Sequence, residues 1–292
     1  PSPKMGEGES RSDGGEGYFQ RNYPAMAISS RSRQRCWPMS LGLLLAALLT
    51  ACAAGRPAAN PAEPLLVAAA SDLQFAFTEI SRRFEADTGQ PVRFSFGSTG
   101  NLTAQIENGA PFDVFAAANV AFIERLQAQD LVIPGTQQLY AQGRIVLAVN
   151  RQAGVQATKL EDLLDPTLGR LAIANPNHAP YGQAAREALE SAGVWEAVQP
   201  RLVLGENVRQ ALQFVQTGDA PLGIVALSIA GVPEVNYILL EADLHQPLNQ
   251  ALAVIKGTPR EAAARAFVEF VNGPEGRSIM KKYGFLLPGE FE

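Results

Sequence analysis

Cysteine and histidine are scarce. The chain of 292 residues has two of each, and the cysteines, Cys36 and Cys52, both fall in or at the edge of an N-terminal leader. The domain that follows therefore has no disulfide framework and no thiolate chemistry. Two histidines, His178 and His245, without a cysteine beside them are too few for an ordinary zinc or copper site. Basic runs are absent outside the leader, which argues against a nucleic-acid surface. No apolar run is long enough to span a bilayer: the longest, Leu41–Leu49, suits the hydrophobic region of a signal peptide instead.

The leader reads as an export signal. Residues 1–30 are rich in Gly, Ser, Glu and Arg, and Met26 and Met39 are candidate starts. Arg31, Arg33 and Arg35 precede the apolar run, which ends in Leu49-Thr50-Ala51-Cys52. This Leu-x-x-Cys resembles the lipobox of bacterial lipoproteins, so Cys52 is the expected lipidation site; the alternative is an ordinary secretory signal cut just after it. Residues 1–51 are leader and signal peptide, and residues 52–63, rich in Ala and Pro, are a tether. The leader holds six basic and four acidic residues out of totals of 24 and 29, which leaves 18 and 25 and a net charge of −7. A domain of that sign that takes an anion must do so with local donors, because its overall field repels the ligand.

From Pro64 the chain alternates short apolar runs with helical spacings. Leu65–Ala70, Val92–Phe96 and Asp113–Ala117 read as buried strands, and Leu73, Phe77, Ile80 and Phe84 recur at helical intervals. Arg144–Val149 starts a second round: Leu171–Ala174 and Leu222–Ala226 are strands, and Val208, Leu212 and Val215 mark a helix. Two consecutive α/β units follow, each a mainly parallel sheet flanked by helices. The last two helices, over 259–271 and 274–283, have no third domain and are expected to return to the first unit. The expected division is 64–142 with 236–292 as lobe I and 143–235 as lobe II, with a ligand cleft between them.

Three strand-to-helix junctions carry the candidate chemistry. They are Ala70-Ser71-Asp72, Gly97-Ser98-Thr99-Gly100 and residues 175–182 (NPNHAPYG). Ser71 is placed to cap a helix. Helix N-termini offer unpaired N–H groups and a positive dipole end, so several converging on a dry cleft suit a dianion. Each junction alone is more often a cap or a turn than a binding site. A serine hydrolase would need a base and an orienting group that the sequence does not display, and residues 97–100 lack the Gly-x-Ser-x-Gly elbow. Arg144 and Arg209 read as structural ion pairs or carbonyl caps, His178 as a loop hydrogen-bonder, and Glu161-Asp162 as a solvated helix start.

The stretches AAASDL (68–73), FGSTGNLTAQIENGAPFDVFAAAN (96–119), NPNHAPYG (175–182), GENVRQAL (205–212), APLGIVA (220–226) and KKYGF (281–285) occur in one order over nearly the whole domain. In this the chain resembles the periplasmic molybdate-binding proteins of ABC importers. The resemblance implies a two-lobed periplasmic-binding-protein fold of the α/β class, closing on its ligand at a hinge, with no catalysis and no cofactor. The implied ligand is molybdate or tungstate, and the implied partner is an ABC permease in the membrane. A monomer is expected, with no nucleic acid bound. Carried over, Ser71 and Ser98 are hydroxyl and N–H donors, and Tyr181 and Val208 are backbone donors. A tyrosine hydroxyl of the family falls at Ala226 and is missing here; the hydroxyl of Tyr181 or of Ser228 is expected to fill the gap. The alternatives are another tetrahedral oxyanion (sulfate, thiosulfate or phosphate), a hydrolase using Ser71 or Ser98, and a sensory module presenting a ligand to a membrane receptor.

Overall fold

A computed structural model describes residues 63–291. The leader, Cys52 and its lipidation, and most of the tether lie outside the described residues. Among the described residues no helix is long and apolar enough to cross a membrane.

The first pass of the chain is β1 (Leu65–Ala70), α1 (Gln74–Thr88), β2 (Val92–Gly97), α2 (Thr99–Glu107), β3 (Val114–Ala117), α3 (Val120–Ala128) and β4 (Gln138–Gly143). The second is β5 (Ile145–Asn150), β6 (Leu171–Ala174), α4 (Pro180–Ser191), α5 (Trp195–Val198), β7 (Leu202–Gly205), α6 (Val208–Thr217), β8 (Leu222–Ala226), α7 (Leu227–Ala230) and β9 (Val235–Leu239). The chain then returns as β10 (Leu248–Val254), α8 (Glu261–Asn272) and α9 (Pro274–Lys282).

The strands form two sheets, ordered β2-β1-β3-β10-β4 and β7-β6-β8-β5-β9. Each has a parallel trio, β2-β1-β3 or β7-β6-β8, extended by two more strands, of which the first, β10 or β5, runs antiparallel to the trio. Those two strands, β10 and β5, are the first strands laid down after the chain crosses between sheets. The apolar runs read as strands because both faces are covered: β1, β3, β5, β6 and β8 are buried almost throughout. α8 and α9 pack on each other, and they meet α1 and β10 of the first sheet.

The first crossing is immediate, at Arg144 between β4 and β5. The return falls later than expected. The sequence boundary puts residues 236–239 in lobe I, but β9 pairs antiparallel with β5, Leu147 opposite Ile238, so it belongs to the second sheet. β9 is a half-exposed edge strand, and its alternation gave no hint of which sheet it borders.

Candidate functional site

Both parallel trios end, at their C-terminal edges, against one cavity. It is bordered by Ala70, Ser71 and Asp72 after β1, Gly97, Ser98 and Thr99 after β2, and Ala118 after β3. The second lobe contributes Ala179, Pro180 and Tyr181 at the start of α4, and Val208 at the start of α6. Its free volume is about 10 Å³, room for about one water-sized group. Ser71, Ser98, Tyr181 and Val208, scattered over 138 positions of sequence, thus meet at one place.

The local chemistry makes each a donor. Pro180 occupies the first turn of α4 and has no N–H. The next amides, Gly182 and Gln183, both donate to the Ala179 carbonyl at 2.9 and 3.0 Å, which leaves the Tyr181 N–H facing outward from the turn. At α6 the Asn207 side chain caps the amides of Arg209 and Gln210 at 3.0 and 3.1 Å, and the Val208 N–H lies ahead of them. Ser98 is the N-cap of α2, a long 3.4 Å from the Asn101 amide. Ser71 is not a cap. It opens a 3-10 turn (Ser71–Leu73) whose N-cap is Ala70.

The lobes touch around this cavity. The Gly100 amide donates to the His178 carbonyl at 2.9 Å, and His178 Nδ1 lies 2.9 Å from Ser98 Oγ. A Cβ on Gly100 would sit 2.7 Å from that carbonyl oxygen, so the close approach needs glycine. His178, read from the sequence as a loop hydrogen-bonder, bonds across the cleft to a site serine.

A buried polar cluster lies beside the cavity. Asp72 Oδ2 accepts from Gln250 Nε2 at 2.8 Å, and the same amide donates to the Tyr181 hydroxyl at 3.0 Å. Gln250 Oε1 lies 2.8 Å from the Tyr140 hydroxyl. Burial pushes the Asp72 carboxyl up to about 6, while the Gln250 amide and Tyr181 hydroxyl pull it partly back. Burial also raises both phenols well above their ordinary value.

This arrangement corrects the expectation for the missing tyrosine hydroxyl. Ser228 Oγ donates to the Asp72 carbonyl at 2.8 Å, and Ser228 does not border the cavity. The Tyr181 hydroxyl is engaged by Gln250 and sits where a side chain on Gly143 would be. Ala226 is buried as the N-cap of α7 and is not part of the cavity wall. Arg144 donates to the Gly284 carbonyl at 3.0 and 2.7 Å, and Arg209 binds Gln216 and lies over Phe75. Neither guanidinium is a cavity residue. Asp162 accepts the amides of Thr158 and Lys159.

The chain is similar to known proteins over nearly all of its described residues. The family described as bacterial extracellular solute-binding protein matches residues 65–286. The molybdate-binding protein of Azotobacter vinelandii is 37% identical over 256 residues, covering 84% of this chain and 98% of its own. That of Rhodobacter capsulatus is 34% identical over 257 residues, covering 86% and 98%. Among solved structures, the Azotobacter vinelandii periplasmic molybdate-binding protein superposes with a TM-score of 0.72 at 32% identity, covering 77% of this chain and 99% of that one.

Proposed function

We propose that this chain, which belongs to the bacterial extracellular solute-binding protein family, captures molybdate or tungstate outside the cytoplasm and delivers it to an ABC permease. The observation that carries the reading is the convergence of Ser71, Ser98, Tyr181 and Val208 on one small cavity lined with neutral donors. Charge-assisted hydrogen bonds from hydroxyls and helix-start amides suit a buried tetrahedral dianion. The role is binding, not chemistry: Ser98 has His178 beside it, but it also caps α2, and among the described residues the carboxylate near the ring, Glu206 at 3.8 Å, is largely exposed.

The protein works as a monomer without a cofactor, exported to the cell envelope and held there through lipid on Cys52. Closing of the lobes over the anion presents a docking face to the permease. Support for export comes from the leader, and support for the anchor from the Leu-x-x-Cys preceding the tether.

A thermal melt with molybdate, tungstate, sulfate and phosphate in excess tests the reading. A ligand at 100 times its dissociation constant adds about 2.7 kcal/mol, a shift of several degrees. Shifts with molybdate and tungstate alone are expected. A shift with sulfate or phosphate only would reassign the ligand.

A further inference from the structure

Asp72 is the cavity residue whose charge opposes the ligand just proposed. Its carboxyl is fully buried, and its two oxygens are unlike. Oδ2 accepts from Gln250, and the Tyr181 hydroxyl also lies close enough to stabilise the charged carboxyl. Oδ1 is, among the described residues, the buried side-chain atom left without a hydrogen-bond partner. A native buried polar atom with nothing to bond is costly unless something else completes it.

The groups around it are neutral. Gln250 comes from β10, Tyr140 from β4 and Tyr181 from α4, and burial keeps both phenols un-ionised. α7 contributes the Ser228 hydroxyl, which binds the Asp72 carbonyl and not its side chain. α6 contributes Arg209, which is committed to Gln216 and Phe75. α1 contributes Glu79, paired with Lys282, together with Arg82 and Arg83. Among the described residues no cation is ion-paired with the carboxyl. A dianion seated against Ser71, the neighbouring residue, would therefore face an uncompensated buried carboxylate, and like charges this close do not both stay ionised.

We propose that Asp72 determines specificity as a neutral acid: it takes up one proton from solvent when the oxyanion enters, keeps it on the free Oδ1, and through it donates a hydrogen bond to a ligand oxygen. The inference rests on the cavity being an oxyanion site. It adds a donor to the cavity, and it satisfies Oδ1. It also explains a preference: an acid hydrogen suits a fully deprotonated oxyanion, whereas an anion carrying its own hydrogen needs an acceptor there. In the empty protein the carboxyl sits near 6, so above that pH binding must bring the proton in.

Titration calorimetry of the full chain with sodium molybdate, in buffers of differing ionisation enthalpy, tests this. Wild type should take up one proton per anion, with Kd rising about tenfold per pH unit above about pH 6. Asp72→Asn, nearly isosteric and uncharged, should bind molybdate with a flat Kd and no proton uptake. Three results overturn the proposal: a flat Kd without proton uptake in wild type, loss of molybdate binding in D72N, or phosphate binding in wild type that D72N abolishes. The wild-type proton count decides even if D72N does not fold. No heat from molybdate at any pH in either folded protein would bring down the oxyanion reading itself, and this inference with it.

Discussion

His178 Nδ1 lies 2.9 Å from Ser98 Oγ, and the two residues stand on opposite lobes. The hydroxyl has one hydrogen. If it is given to a bound anion, the imidazole must donate to Oγ from Nδ1; if the site is empty, the hydroxyl can donate to the ring. His178 therefore completes the site serine only when the lobes are closed. Replacing it with alanine should cost about 1 kcal/mol, a loss of roughly fivefold in affinity, mainly through faster release. Stopped-flow dissociation of molybdate checks this, and an unchanged rate would remove His178 from the site.

Gly100 governs how closely the lobes approach. Gly100→Ala places a methyl 2.7 Å from the His178 carbonyl oxygen, and the amide bond spanning the cleft at 2.9 Å is lost or stretched. The melting temperature without ligand should hold, because each lobe keeps its own core. The ligand-induced shift should shrink sharply, and small-angle scattering should show a protein that stays open with molybdate.

Tyr181 separates backbone from side chain. Its hydroxyl bonds Gln250, while its amide is the donor left free at the start of α4. Tyr181→Phe should therefore lower stability by about 1 kcal/mol and leave molybdate affinity within about twofold. A large loss of affinity with stability intact would show that the hydroxyl, not the amide, meets the ligand.

Asp72 makes the empty protein less stable as pH rises. Its folded pKa, about 6, exceeds the unfolded value of 3.8, so the folded state holds the proton more tightly. The favourable contribution is complete below the unfolded value and is lost as pH rises through about 6, a change of about 3 kcal/mol. Without ligand, Asp72→Asn should match wild type near pH 4 and melt several degrees higher at pH 8. Carboxyls held low by their partners, such as Glu79 beside Lys282, act in the opposite sense in both proteins and cancel from the comparison.

Much of this was legible in residues alone, for physical reasons. Buried parallel strands such as β1, β5 and β8 are continuous apolar runs, so their places were readable. Ser71, Ser98, Tyr181 and Val208 stand at strand-to-helix junctions, where topology gathers free amides. β4, with the polar sequence QLYAQG, and the short α5 gave no periodic signal. β9 was placed in the wrong lobe, because a half-exposed edge strand does not encode its neighbour. The Asp72–Gln250–Tyr140 cluster was not anticipated either. A polar side chain looks solvated in a sequence, and the one hint was Gln250 directly before the apolar stretch of β10, residues 251–254.

The most direct measurement is a crystal structure with molybdate or tungstate, located by anomalous scattering from the metal atom. One peak is expected between the lobes, with the anion's oxygens within about 3 Å of the Ser71 and Ser98 hydroxyls and the Tyr181 and Val208 amides. A peak elsewhere, or one held by arginine or lysine, would contradict it.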